Sequence, residues 1–171
     1  MSSSTTSSTL SAIAHCWKIN QDYASRLVSD LSDEQMILQP APDGKAPSNH
    51  PAWTLAHLNT YIPIVGALLE GKPFDDPKDA PFGMQSKPEH DLSVYASKAE
   101  LIGEFVEGHE AVSKLLAGAN PDVLDQEVTL ERWKSRMPNV ATALLYLGMC
   151  HENQHLGQLS TWRRVQGMPS V

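Results

Sequence analysis

Apolar residues recur at spacings of three and four over four stretches of the chain, with polar residues filling the gaps, the pattern of amphipathic helices. Leu10, Ile13, Trp17, Ala24, Leu27 and Leu31 mark a first helix over about residues 8–30, leaving Lys18, Asp22, Arg26 and Asp30 for solvent. Ser32 followed three residues later by Gln35 has the form of a capping box and predicts a short helical piece reaching about Leu38. Pro40, Pro42, Gly44 and Pro47 then predict a loop. Pro51 suits a first helical turn, and Trp53, His57, Tyr61, Ile64 and Leu68 continue as a second helix that stops at Gly71. Pro63 inside it costs ~3 kcal/mol and predicts a kink after the first two or three turns. Residues 71–90 carry four prolines and no apolar period. They form a long irregular connection of a kind that is usually functional or mobile, and at about 3.3 Å per residue it can cross the length of a bundle.

Ser97 with Glu100 is a second capping box, opening a third helix whose inner face carries Ile102, Phe105, Val106, His109, Val112 and Leu116, closed by Gly118 and Pro121. Residues 119–139 form another connection, punctuated by proline and charge, in which residues 126–130 are too short for a strand. A fourth helix runs over residues 139–166, capped by Asn139 and ended by Gly167 and Pro169. Four helical stretches without a strand or an internal repeat predict an all-α fold, a four-helix bundle with long crossover loops. The long crossover allows the second and third helices to run parallel.

Length and composition refine this outline. A chain of 171 residues fits one domain, expected over residues 9–171 behind a flexible Ser- and Thr-rich tail at residues 1–8 that has neither the basic nor the apolar region of a secretory signal. With 41% hydrophobic and 19% charged residues the chain matches soluble globular proteins, and no apolar run approaches the roughly 20 residues that span a bilayer. Cys16 and Cys150 give no disulfide framework, so a cytoplasmic protein is expected. The net charge of −7, from 20 acidic against 13 basic residues, excludes a surface that tracks nucleic-acid phosphates, and Arg163-Arg164 is the only local basic hint.

Candidate chemistry centres on His151-Glu152-Asn153-Gln154-His155. Histidines four apart on a helix lie on one face, at a spacing where two nitrogens can grip one ion. Here they continue the apolar stripe Val140, Leu144, Leu147 toward Gln158 and Trp162, and His57 lies on the stripe of the second helix between Trp53 and Tyr61. Three imidazoles from two helices thus face the interior, where bundles build metal sites. The bland alternative is a metal-free bundle whose core histidines find separate polar partners. The letters also satisfy H-E-x-x-H, the zinc-protease signature. Against that reading, no His, Asp, Glu or Cys follows His155, no sheet is predicted to hold a peptide, and Glu152 is turned about 100° from His151 around the helix. His109 lies on an inner stripe and can approach the site or serve as a core residue. His15, His50 and His90 are expected at the surface. Phosphate loops, G-x-S-x-G and CxxC motifs do not occur.

Trp53-Thr54-Leu55-Ala56-His57-Leu58, and His151 through Leu159 followed by Arg163-Arg164, Gly167 and Pro169, resemble the DinB-like (DinB/YfiT) metalloenzyme superfamily over nearly the whole chain. The resemblance implies a four-helix bundle in which His57, His151 and His155 bind a divalent metal, Zn2+ or Ni2+. It also implies chemistry with a low-molecular-weight thiol, as an S-transferase or isomerase acting on small electrophiles. Three protein ligands with an open position describe a catalytic metal, which lowers the pKa of a bound thiol or water. On this reading Glu152 and Gln158 are the candidate catalytic groups, Trp53, Tyr61, Gln154 and His109 line the pocket, the substrate is a small molecule and the chain is a homodimer. A non-catalytic metal-binding helical module and a metal-dependent hydrolase are the alternatives.

Overall fold

A computed structural model describes residues 2–39 and 49–171. Helix α1 (Ser2–Val28) begins earlier than the apolar period, because no glycine or proline stops it in the Ser- and Thr-rich start. The Ser32 capping box forms with Gln35 and opens α2 (Asp33–Met36). The loop expected at Pro40, Pro42, Gly44 and Pro47 lies outside the described residues. Helix α3 (Pro51–Glu70) starts at a cap different from the expected surface residue: His50 is fully buried, and its Nδ1 accepts the Trp53 N–H at 3.2 Å. Helix α3 runs unbroken through Pro63, whose ring lies on the exposed face, while Ile62, Ile64 and Val65 pack on the other side. It ends at Gly71, whose φ of 63° is the left-handed C-cap conformation that glycine adopts freely.

Helix α4 (Lys98–Gly118) opens at the Ser97–Glu100 capping box. The short α5 (Glu131–Lys134) follows, then α6 (Val140–Leu145), capped by Asn139. A π-helical turn, Tyr146–His151, joins α6 to α7 (Glu152–Val165). The connections contain 3-10 turns at Pro77–Asp79, Leu92–Val94 and Pro121–Asp125, and among the described residues there is no strand, only an isolated bridge between Glu127 and Asn139. Among the described residues no helix is long and apolar enough to cross a membrane.

Contacts between the long segments give their directions. Trp17 Nε1 donates to the His109 carbonyl at 3.2 Å and Lys98 Nζ to the Leu31 carbonyl at 2.5 Å, so α1 and α4 are antiparallel. Asn59 donates to the Leu101 carbonyl, Ile62 meets Gly108 and Gly66 meets Leu115, so α3 and α4 run parallel, as the long crossover permits. Trp53 packs near His155 and Tyr61 near His151, making α3 and α7 antiparallel. Asn20 reaches the Gly148 carbonyl at 2.9 Å and Arg163 the Leu27 carbonyl at 2.9 Å, so the last segment runs parallel to α1. Each of the four long segments therefore packs on two neighbours around a core that includes Trp17, Leu55, Phe105, Leu144 and Leu156.

The π turn changes which residues of the last segment are buried. An unbroken α-helix continuing Val140, Leu144 and Leu147 would bury positions 151, 155, 158 and 162. The buried set is instead Glu152, His155, Leu156, Leu159, Trp162 and Arg163, while Gln158 is exposed. A π turn takes up one extra residue, and the stripe moves one position along the chain accordingly. Two residues of α1 shape the turn: Asn20 binds the Gly148 carbonyl, and Trp17 lies so close that a Cβ at Gly148 would sit 2.7 Å from its ring.

Arg163 is not part of a basic surface. It is 1% exposed, and its guanidinium binds the Leu27 and Pro169 carbonyls as well as Asp30 through both Nη atoms, at 2.5 and 2.9 Å. This ties the end of α7 to the end of α1. Arg163→Met should lower unfolding stability by about 2 kcal/mol, chiefly because two carbonyls lose their donor, since Asp30 is half exposed and readily rehydrated. Gly148→Ala should lower it by about 1–3 kcal/mol, because the added methyl overpacks against the buried Trp17. Urea unfolding midpoints check both.

Candidate metal centre

Three elements bring the imidazoles together. His57 projects from the middle of α3, His151 closes the π turn, and His155 lies one turn further on α7. One ring nitrogen from each lies within 4.8 Å of the others. His57 Nε2 is 3.0 Å from His151 Nε2. The other nitrogens fix the tautomers. His57 Nδ1 is 2.6 Å from the Phe82 carbonyl and therefore donates, leaving its Nε2 with a lone pair. His155 Nδ1 donates to Gln158 Oε1 at 3.1 Å, and Asn49 donates to the same oxygen at 2.9 Å. Such outward hydrogen bonds are the usual way a protein orients metal-ligating histidines. The Phe82 carbonyl comes from the long connection between α3 and α4, which is anchored by His50 Nε2 on the Glu89 carbonyl and by Trp53 Nε1 on the Ser86 hydroxyl.

Electrostatics keep the cluster neutral. Burial, together with the neighbouring His155 and His57, pushes His151 down to about 3. Burial and His57 push His155 down to about 4, and burial lowers His57 as well. All three are therefore uncharged lone-pair donors at neutral pH. His151 Nδ1 is buried without a hydrogen-bond partner among the described residues, so hydrogen bonding among the three rings does not satisfy the cluster. Three neutral imidazoles from two facing helices, two of them held by carbonyl oxygens, fit a divalent cation.

The imidazoles open on a cavity of about 340 Å³. Of the residues expected in the pocket, Trp53, Tyr61 and Gln154 line it. Trp53 stacks on His57 at 4.6 Å, and the Tyr61 ring centre lies 5.0 Å from His57 and 4.8 Å from His151. His109 does not line the cavity. It is fully buried on the far side of α7, where its Nε2 lies 3.0 Å from Glu152 Oε1. Neither expected catalytic group lines the cavity: Glu152 is turned into the core, and Gln158 stands behind His155 as its hydrogen-bond acceptor. Both placements follow from the one-residue shift at the π turn.

Glu152 and His109 form a buried pair. His109 Nδ1 donates to the Phe105 carbonyl at 2.8 Å, so its contact with Glu152 requires one shared proton. Burial pushes the Glu152 carboxyl up, while its hydrogen bonds to His109 and Asn20 act in the opposite direction. His109 also stacks on Trp17 at 4.3 Å, the ring that presses on Gly148.

Part of the cavity wall escapes sequence reading. Arg132, Trp133, Arg136 and Met137, from α5 and the turn after it, close one side with Tyr146 and Met84. The sequence shows only a charged connection there. A Trp between basic residues was the one available signal. Among the described lining residues there is no Asp or Glu.

No curated protein and no solved structure matches the chain. A family model does match, covering residues 17–159 and so containing all three histidines and every long helix in whole or part. With the helical fold and the converged imidazoles, this shows that the chain belongs to the DinB superfamily.

Proposed function

We propose that the chain is a divalent-metal-dependent enzyme in which His57, His151 and His155 hold Zn2+ or Ni2+, and which joins a low-molecular-weight thiol to a small electrophile, as an S-transferase or isomerase. The observation that carries the reading is the composition of the cavity wall: three lone-pair nitrogens at one place, aromatic and apolar surface around them, and no carboxylate among the described lining residues. A bound cation supplies Lewis acidity, which brings a thiol to its thiolate near neutral pH. The same cation would also activate water, so the preference for a thiol rests on the family resemblance and on the aromatic and apolar wall, which suits an organic co-substrate.

The chain's own residues have separate tasks. The Phe82 carbonyl and Gln158 hold the rings of His57 and His155 in the tautomer that presents a lone pair. Trp53, buried and stacked on His57, excludes water beside it, and the Tyr61 hydroxyl is available to orient a polar substrate group. Gln158 acts on the position of His155 rather than on substrate, and Glu152 is paired with His109 in the core, away from the cavity.

Metal analysis of untagged protein should find close to one divalent ion per chain, falling to background in His57→Ala and His155→Ala variants that keep their helical content. Background metal in the wild type would overturn the proposal. Incubation with monochlorobimane and a panel of thiols should give turnover that chelator abolishes. Stoichiometric metal without turnover by any thiol would support the non-catalytic metal-binding module instead.

A further inference from the structure

The cavity carries a second chemical feature, on the wall beside His151. Arg132 and Arg136 both reach it, but they are not equivalent. Arg132 is chelated by Asp76, with Nε at 2.6 Å and Nη2 at 2.5 Å from the two carboxylate oxygens, so its charge is already matched. Arg136 pairs with no carboxylate among the described residues, although the chain holds 20 acids against 13 bases. It is nonetheless held in place: Nη1 donates to the Tyr146 hydroxyl at 3.0 Å, and the guanidinium lies 5.1 Å from the centre of that ring. Tyr146 in turn stacks on His151. The backbone beneath is fixed by the turn after α5, where the Arg136 N–H donates to the Trp133 carbonyl. The result is an unmatched cation, oriented by an aromatic residue that contacts a metal-site imidazole, on a wall that is otherwise Trp133, Met137 and Leu147.

We propose that Arg136, oriented by Tyr146, is an anion-recognition group of this cavity, and that the small molecule bound there carries a carboxylate on an apolar body. This rests on the cavity being the substrate site of the function proposed above. A guanidinium matches a carboxylate with two parallel N–H donors, a geometry that a neutral amide cannot reproduce. Partial enclosure by aromatic and apolar surface strengthens the pairing relative to open water. Arg136 is then the specificity-determining residue: it takes no part in the chemistry and selects anionic over neutral ligands. Arg136 is exposed, so substituting it leaves the core untouched, and Tyr146, half-buried against the core, is changed only by a substitution that keeps its ring.

The test uses phenyl-substituted straight-chain carboxylic acids with two to five carbons and their primary amides. Each is titrated into metal-free and zinc-loaded full-length protein while indole N–H shifts are followed by NMR, since Trp133 and Trp53 line the cavity. For at least one chain length the carboxylate should bind about tenfold or more tightly than its amide, as a charged hydrogen-bond pair warrants. Arg136→Gln should erase that preference while leaving amide affinity unchanged. Tyr146→Phe, which keeps the ring and removes the hydroxyl, should reduce the preference severalfold. Equal carboxylate preference in wild type and Arg136→Gln would overturn the proposal, as would no saturable binding of any carboxylate. Because the metal-free protein is titrated too, failure of the metal assignment shows as absent zinc retention and leaves the charge preference readable.

Discussion

One extra residue in the last long helical segment decides what this protein presents to its cavity. The π turn at Tyr146–His151 rotates everything after it relative to the apolar stripe before it. It buries Glu152, exposes Gln158, and leaves His151 half-buried at the margin of the core with His155 buried beside it. At that margin they meet His57 of the antiparallel α3 and also border the cavity. The turn is held by Trp17 against Gly148 and by Asn20 on the Gly148 carbonyl.

The polar interior behind the site is organised by the same turn. Glu152 becomes a core residue and is paired with His109, whose ring stacks on Trp17. A carboxyl in this position would be costly if unpaired. The pair therefore links α4, α1 and α7 at the level of the metal-site histidines. On the opposite side the long connection after α3 contributes a carbonyl, Phe82, to His57. The site is thus braced from both faces of the helices that carry it.

Much of this was legible in the sequence where the signal is local. Ser32, Ser97 and Asn139 cap as their spacing predicts, Gly71 stops α3, and the period puts His57 and the His151/His155 pair on inward-facing sides of their helices, with the π turn setting how deep the pair lies. The all-α fold and the family are likewise as the motifs imply. What was not legible depends on distant partners. The π turn packs against Trp17 and Asn20 from the other end of the chain, contacts that the apolar period does not show, so the period places Gln158 on the inner stripe and Glu152 off it as a group near the site. His50 precedes a proline and has no apolar neighbour in register, which hides its role as a buried cap. Arg132 and Arg136 reach the cavity from a connection without period, so only the packed structure places them there.

The central claim is that the three imidazoles form one metal centre with room left for a ligand. X-ray absorption at the metal edge of the natively loaded protein tests this most directly. The account predicts a first shell of three imidazole nitrogens, at about 2.0–2.1 Å for zinc, completed by light-atom scatterers that an added thiol replaces with sulfur. A shell without imidazole scattering, or one built from protein sulfur before any thiol is added, would contradict it.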